Sequence, residues 1–485
     1  MLSQDEILAV YQAGPEAVVA LAEQLLSVQA TLEQQVARLT ARVEELEARL
    51  NQDSHNSHKP PSSDGLRKKS KSLRKRSGKP PGGQPGHPGV TRTLSETPDE
   101  IVEHSSSQCA GCGGALANTP ALHRERRQVV ELPPIQLQVL EHQVLHKVCP
   151  TCGVRSAGEF PPEITHPVAY GPRLKALGVY LQAYQLLPFD RTAELFQDLF
   201  SGSLALGTLA RHQAVCAERL RPIEHAIKHR LSEEAVVNFD ETGSRVAGQT
   251  HWLHSASTPW LTFYALHPKR GRAALEAIGL LPTFRGTAVH DALAAYLTYP
   301  ACQHGLCNAH LLRELIAIHE ATGQRWAHRL MDLLLTIKAA VAKAQAKGKT
   351  HLVPRRQADF EAAYGRLLRQ GFRSNPAPPP TGHRGRPKQS PAKNLLDRLK
   401  TYRSAVLAFM YNFAVPFDNN LAERDLRMMK VRTKISGCFR SPAGAANFCR
   451  IRGYISTLRK QDYSVLEALH SVFIGQPYMP RLTAE

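Results

Sequence analysis

A basic, proline- and glycine-rich stretch near the start of the chain constrains the fold most, because it divides the sequence. Residues 51–95 include the words HNSHKPPSSDG, LRKKSKSLRKRSGK and GKPPGGQPGHPG. A segment of this composition cannot bury enough apolar surface to fold alone. The 485-residue chain is therefore predicted to contain separate folded units on either side of a linker, and its length fits roughly three domains.

The same stretch concentrates positive charge. The whole chain has 61 Lys and Arg residues against 42 Asp and Glu, a formal net charge of +19. Such a charge favours polyanionic partners, nucleic acid above all. We expect five side chains of this arm to contact DNA phosphates with salt-dependent affinity, although a merely solubilising linker is the alternative. These side chains are Lys68, Lys69, Arg74, Lys75 and Arg76.

Before the linker, residues 15–52 repeat leucine at every seventh position. Leu25, Leu32, Leu39 and Leu46 occupy the d positions of this heptad. Leucine at d with valine at several a positions is typical of parallel two-stranded coiled coils. The pattern predicts a homo-oligomer joined by this helix; the alternative is an amphipathic helix packed on its own protein.

The sequence gives no sign of membrane insertion. Its start lacks a basic segment followed by an apolar one. No run of about 18 apolar residues occurs. We expect a cytoplasmic, nucleoid-associated protein with no membrane partner.

Four of the nine cysteines form two close pairs, each followed by glycine. Cys109 and Cys112 form the first CxxC knuckle, and Cys149 and Cys152 form the second. Two such knuckles predict a Cys₄ zinc ribbon over residues 106–160, with one structural zinc ion. We expect QVVEL and QLQVLEHQVLHKV, which lie between the knuckles, to be strands. The remaining cysteines are predicted to be buried small hydrophobic residues.

Residues 161–232 are predicted to form a helical DNA-binding region. The words RTAELFQDLF, SGS and ALGTLARHQAVCAERL follow a helix, turn and helix pattern. In a helix-turn-helix the second helix would enter a DNA groove, with Thr208, Arg211 and His212 near its start. An ordinary helical hairpin fits the same pattern equally well.

Three acids, distant in sequence, are candidates for one metal site. Asp240 ends the apolar run AVVNFD, Asp291 ends GTAVHD, and Glu423 lies on the charged helix NNLAERDLRMMK. Strand composition around the two aspartates predicts an α/β core. Carboxylates from two strand ends and a helix can hold Mg²⁺, and two such ions serve in-line phosphoryl displacement. An ion pair between Glu423 and Arg427 is the alternative for the glutamate.

Several neighbours of these acids are secondary candidates. His310 could orient a phosphate or a metal-bound water, or be a core histidine, and Arg313 could do the same or be a surface arginine. Asn419 and Asn420 could cap the glutamate helix or hold it in place. Four basic residues share that helix: Arg424, Arg427, Lys430 and Arg432. Some of them are expected to face DNA phosphate, and Arg424, Arg427 and Lys430 are the candidate DNA-binding residues.

The words NFDETG, HDALAAY, CNAHLLREL and DNNLAERDLRMMKVRTKISGCFRS resemble the bacterial insertion-sequence transposases of the DDE type. The likeness is closest to the family numbered sixty-six, whose transposase is called TnpC, and it covers nearly the whole chain. The resemblance implies an RNase H-like catalytic core with a helical segment between the second and third acids. It implies Asp240, Asp291 and Glu423 as the catalytic triad and Mg²⁺ or Mn²⁺ ligands, ahead of Glu241 and Asp425.

The expected fold is thus multidomain α+β. Its units are a leucine-zipper coiled coil (1–52), a basic linker (53–105), a zinc ribbon (106–160), a helical DNA-binding region (161–232), the first part of an RNase H-like α/β core (233–320), a helical insertion with a basic loop (321–405) and the second part of the core with a tail (406–485).

The expected activity is metal-dependent cleavage at element ends followed by strand transfer into target DNA, with two catalytic ions. The partners would be terminal inverted repeats, target DNA and accessory proteins of the same element. Two alternatives remain open: a zinc-ribbon DNA-binding regulator with a non-catalytic core, and an RNase H-like nuclease without strand transfer.

Overall fold

The computed structural model describes residues 4–57, 82, 84, 86, 92–162, 164–378 and 389–482. Their contacts divide them into two compact units. One holds the described residues of Met1–Lys71, Pro161–Glu194 and Leu204–Glu485, and the other those of Ser72–Phe160 and Leu195–Ser203. The chain is a mixed α+β protein. The five arm residues expected to contact phosphate, Lys68, Lys69, Arg74, Lys75 and Arg76, lie outside the described residues.

The heptad region forms one long helix. A short helix, α1 (Gln4–Gln12), precedes α2 (Pro15–Leu50), which runs for 36 residues. Its proline stands at the first helical position, where the missing N–H costs nothing. The d leucines Leu25, Leu32, Leu39 and Leu46 remain 42–64 % exposed. The single chain therefore leaves this apolar stripe uncovered.

The unit around the cysteine pairs has little regular structure. An antiparallel pair joins β1 (His146–Val148) to β2 (Arg155–Ala157). The prediction that QVVEL and QLQVLEHQVLHKV are strands is wrong except for the final HKV. Most of their apolar side chains are exposed, and those of Val129 and Val139 are about nine-tenths exposed. Alternating apolar residues favour a strand only where a sheet face buries them.

A five-stranded sheet forms the centre of the larger unit, in the order β5-β4-β3-β6-β7. β3 pairs antiparallel with β4 and parallel with β6; β4–β5 is antiparallel and β6–β7 is parallel. The strands are β3 (Val236–Val246), β4 (Gln249–Ser257), β5 (Thr262–His267), β6 (Thr287–His290) and β7 (Gln303–Leu306). All four residues of β6 are buried, as expected for a central strand covered on both faces.

Helices surround this sheet, and α15 packs on β5. A hydrophobic cluster joins the sheet to α3, α5, α6 and the helices at the carboxyl end. These elements are α3 (Pro172–Val179), α5 (Leu206–Arg219), α6 (Arg221–Glu233), α7 (Arg272–Ile278), α14 (Asn420–Ser436), α15 (Pro442–Lys460) and α16 (Val465–Phe473), with a π-helical turn at Tyr180–Tyr184. The helix α4 (Phe189–Phe200) contributes residues to both compact units.

A second hydrophobic cluster lies in the helices between β7 and α14. They are α8 (Asn308–Thr322), α9 (Arg325–Gln345), α10 (Pro354–Ser374), α11 (Pro391–Thr401), α12 (Arg403–Val406) and α13 (Ala408–Tyr411). This is the helical excursion that the sequence predicts, and it has its own core rather than extending the first. Across the described residues, no helix combines the length and apolar character that crossing a bilayer requires.

Candidate active site

The two aspartates lie on adjacent parallel strands. In the pairing of β3 with β6, Val236 aligns with Thr287 and Asn238 with Val289. Extending this register by two residues would bring Asp240 opposite Asp291, and the Asp291 charge does raise the pKa of Asp240. The expectation that Asp240 ends its strand is wrong, because β3 continues in its antiparallel ladder with β4 as far as Val246. Asp291 does follow directly on the end of β6.

Asp240 is buried among negative charges. Burial, together with the charges of Glu241, Asp291 and Glu423, raises the pKa of its carboxyl to about 8. The Glu241 backbone N–H donates a hydrogen bond to Asp240 Oδ1 at 2.9 Å, which works in the opposite direction. All three predicted acids therefore share one electrostatic environment, although they come from three separate elements.

Glu423 enters from the first turn of α14. Burial raises the pKa of its carboxyl, and the nearby Arg313 guanidinium lowers it. Its Oε1 lies 3.8 Å from His310 Nε2, and Arg427 is exposed. The alternative Glu423–Arg427 ion pair is not formed in the described structure. Oε1 is buried and accepts no hydrogen bond from any described residue.

Asn419 holds the start of α14 in place. It is almost wholly buried, and its Nδ2 donates to the Phe239 carbonyl while its Oδ1 accepts from Asn238 Nδ2, both at 2.8 Å. Its backbone N–H donates to Cys307 Sγ at 3.2 Å, and its carbonyl accepts from the Glu423 N–H at 3.2 Å. The side chain makes no cap bond, because it spans to the strand that carries Asp240.

The two lower-ranked acids are already satisfied by partners. Glu241 accepts from Arg270 and, at 2.6 Å, from the Tyr296 hydroxyl. Asp425 Oδ2 accepts from Lys460 Nζ and Ser257 Oγ, both at 2.7 Å. A carboxylate surrounded by donors has little remaining capacity for a cation, which is a physical reason to rank both below the triad.

The basic residues near Glu423 separate into two kinds. Arg424, Arg427 and Lys430 are exposed and recur every three residues, so they form one stripe along α14. Arg432 instead stacks on the ring of Phe439, with its guanidinium carbon 3.5 Å from the ring centroid. Burial lowers its pKa to about 10, so Arg432 does not belong to the exposed stripe.

In the helical region, His212 and Arg211 differ in their exposure. His212 is buried on α5, where its ring meets the rings of Tyr170 and Phe473 edge to face. Burial lowers its pKa to about 4. The His212 ring is therefore not available to contact a DNA base, whereas Arg211 on the same helix is exposed.

The two cysteine knuckles have matching turns. The N–H of Gly113 donates to the Cys109 carbonyl and that of Gly153 to the Cys149 carbonyl, each at 2.9 Å. Both glycines have positive φ, 73° and 71°, a conformation that favours glycine. Hydrogen bonds from the Cys152 and Thr151 backbone lower the pKa of the Cys149 thiol to about 7. Such turns favour the thiolate form that binds zinc.

The knuckles do not themselves converge. Within the described residues, no three of the thiols Cys109, Cys112, Cys149 and Cys152 lie within 4.8 Å of one another. A tetrahedral site forms fully only when the ion draws its ligands together, since metal binding and folding are linked.

A different trio does converge, and sequence reasoning missed it as a group. Cys307, His310 and Glu423 each place a possible ligand atom within 4.8 Å of the others. From the sequence, Cys307 is predicted to be a buried hydrophobic residue and His310 to be an accessory to the acids. The C-x₂-H spacing of CNAH is the signal that links the first two.

Comparison with known families identifies the class of protein. The sequence profile of the Transposase IS66 family matches residues 167–447, more than half of the chain. The chain therefore belongs to the IS66 family of transposases, as the resemblance of its motifs implies. The zinc-finger binding domain of transposase IS66 matches residues 106–153, so the chain carries a zinc-finger domain and has DNA as a partner. Residues 10–93 match a family of unknown function, DUF6444. No curated protein matches the sequence.

Proposed function

We propose that the protein cuts the 3′ strand at the ends of its element and joins the new 3′ end to target DNA. The observation that carries the proposal is the shared environment of Asp240, Asp291 and Glu423, whose charges raise the pKa of Asp240. Three carboxylates that repel one another in a buried setting are stabilised when cations bind between them.

The donors fit Mg²⁺ or Mn²⁺. All three are carboxylates, and Glu423 Oε1 has no hydrogen-bond partner among the described residues. Bound at these acids, two divalent ions would supply an activated oxygen nucleophile and neutralise charge on the phosphate under attack. The protein's own part is to hold the carboxylates at a fixed separation, through the β3–β6 register and the contacts of Asn419.

The proposed core is RNase H-like. Three antiparallel strands followed by two parallel ones support this, as do acids on neighbouring strands and a third on a helix after an insertion. The unit boundaries given above, from the coiled coil at 1–52 to the tail at 406–485, belong to the same proposal.

The DNA-binding surfaces would be distributed along the chain. We infer that the basic arm, the zinc ribbon, Arg313 and the stripe Arg424, Arg427 and Lys430 contact the terminal repeats or the target. The α2 coiled coil would pair two protomers across two ends, and accessory proteins of the element could join them. Four thiolates at the ribbon leave no coordination position open, so its zinc ion would be structural.

The test is strand transfer with Mg²⁺ on DNA bearing the inverted repeats that flank the gene. Asp240→Asn and Glu423→Gln should each lower both cleavage and joining by a factor of at least about 100, because each removes a ligand charge. Glu467→Gln is the matched control, since Glu467 is an exposed acid in the first turn of α16. Joining at the normal rate by Asp240→Asn would refute the mechanism.

The same assay separates the two alternatives. Cleavage of ends by the unaltered protein without joining would favour an RNase H-like nuclease. Binding of the ends without any metal-dependent cleavage would favour a DNA-binding regulator with a non-catalytic core. The three acids with their helical context support the transposase over both.

A further inference from the structure

A group of possible metal ligands lies beside the acid site and outside the cysteine knuckles. Cys307 Sγ, a ring nitrogen of His310 and a carboxylate oxygen of Glu423 lie within 4.8 Å of one another. In the part of the chain that the structure describes, no other group of His, Cys, Asp and Glu is this compact. We propose that these three residues bind a zinc ion distinct from the ribbon's.

The donor set selects the kind of metal. A thiolate and an imidazole are ligands for zinc and other borderline or soft ions, whereas Mg²⁺ takes oxygen ligands. Cys307 is the N-cap of α8, and His310 stands in its first turn. Their C-x₂-H spacing places both side chains at the same end of one helix, opposite the first turn of α14.

The atoms around this site include a buried carboxylate oxygen that a cation would neutralise. Glu423 Oε1 is buried without a hydrogen-bond donor among the described residues, and it lies 3.8 Å from His310 Nε2. Cys307 Sγ accepts a hydrogen bond from the Asn419 N–H at 3.2 Å. Burial raises the pKa of the Cys307 thiol to about 12, and this hydrogen bond offsets part of that rise. A zinc ion would therefore give the buried Glu423 oxygen a positively charged partner. It would also bind the Cys307 sulfur, which already accepts a hydrogen bond from the Asn419 N–H.

The charges balance. The Cys307 thiol loses its proton to solvent as the S–Zn bond forms, and Glu423 binds as a carboxylate. Thiolate and carboxylate together neutralise Zn²⁺, and the imidazole binds as the neutral ring. The buried site would then carry no net charge, which lowers the cost of placing an ion there.

Zinc at this position would connect the helical insertion to the third acid. α8 belongs to the second hydrophobic cluster, and α14 carries Glu423. With Oε1 on zinc, the other carboxylate oxygen of Glu423 remains available to the acid site. Zinc would thus act as a positioning ion, and its binding is independent of whether the protein cleaves DNA.

The experiment is zinc content of the full-length protein, purified with zinc and dialysed, measured by atomic emission. Cys307→Ser and His310→Gln should each contain one zinc equivalent less than the unaltered protein. Cys302→Ser is the matched control, because Cys302 is also buried and also lies near a histidine, His304; it should retain the full content. Cys149→Ser, measured in parallel, counts the ribbon ion separately.

Unchanged zinc content in both Cys307→Ser and His310→Gln would overturn the proposal. Thermal melting followed by circular dichroism checks that the variants fold. If Cys307→Ser unfolds, the zinc content of His310→Gln alone tests the proposal. His310 is half-buried and is not the N-cap residue of α8, so its substitution leaves the start of that helix unchanged. Because DNA cleavage is not measured, failure here is distinct from failure of the proposed transposition chemistry.

Discussion

At the scale of single residues, ionisation of Asp240 destabilises the folded state. Its pKa is about 8 in the folded protein, against an ordinary value of 3.8. The folded state therefore holds this proton more tightly than the unfolded state. Without cations, the free energy of unfolding should fall as pH rises from about 4 to about 8, and then level off.

Asp240→Asn should remove this pH dependence. In EDTA, we expect the variant to gain on the order of 4 kcal/mol over the unaltered protein between pH 5 and pH 8.5, measured by urea unfolding. The amide oxygen can still accept the Glu241 N–H. Asp332→Asn, on the exposed side of α9, should behave like the unaltered protein. A stability difference that is constant across pH would contradict the assignment.

Sequence could predict some of these residues and not others. Apolar runs ending in aspartate located Asp240 and Asp291, because a buried strand has a distinctive composition. Glu423 depended on the resemblance, since an acid on a charged helix has many uses. The roles of Glu241 and Asp425 depend on partners far away in sequence, such as Tyr296 and Lys460, which no local pattern reveals.

At the scale of elements, α14 presents a basic stripe beside the third acid. Replacing Arg424, Arg427 and Lys430 together by glutamine should weaken DNA binding and reduce its salt dependence. Each lost phosphate contact should lower the slope of log affinity against log salt by about 0.9. The measurement is a fluorescence-anisotropy titration at several salt concentrations.

Three arginines on α10 provide a control variant that removes the same charge as the α14 variant. Arg366, Arg369 and Arg373 are exposed and similarly spaced, and their replacement by glutamine removes the same charge from the insertion. An equal loss of slope in both triple variants would mean that net charge, and not the stripe, governs binding.

Elements of the core were more predictable than those of the cysteine unit. The strands β3 to β7 follow the predicted runs because a central sheet buries them. The segment between the knuckles has similar composition, but along most of its length it has no partner strand among the described residues, so it does not form a strand there.

At the scale of the whole molecule, the uncovered stripe of α2 predicts association. Leu32→Glu places a charge at the centre of the proposed coiled-coil seam and should convert a dimer of the full chain to monomers. Light scattering coupled to size exclusion measures the mass. Gln34→Glu introduces the same residue outside the a and d positions and should leave the dimer intact. A monomeric unaltered protein would exclude pairing through α2.

The contacts of Asn419 also set an order of events during synthesis. This residue joins Asn238 and Phe239 to Cys307 and Glu423, segments that leave the ribosome at widely separated times. The third acid can be fixed beside the first only after both the sheet and the insertion have been made. An incomplete chain therefore cannot assemble the full set of three acids.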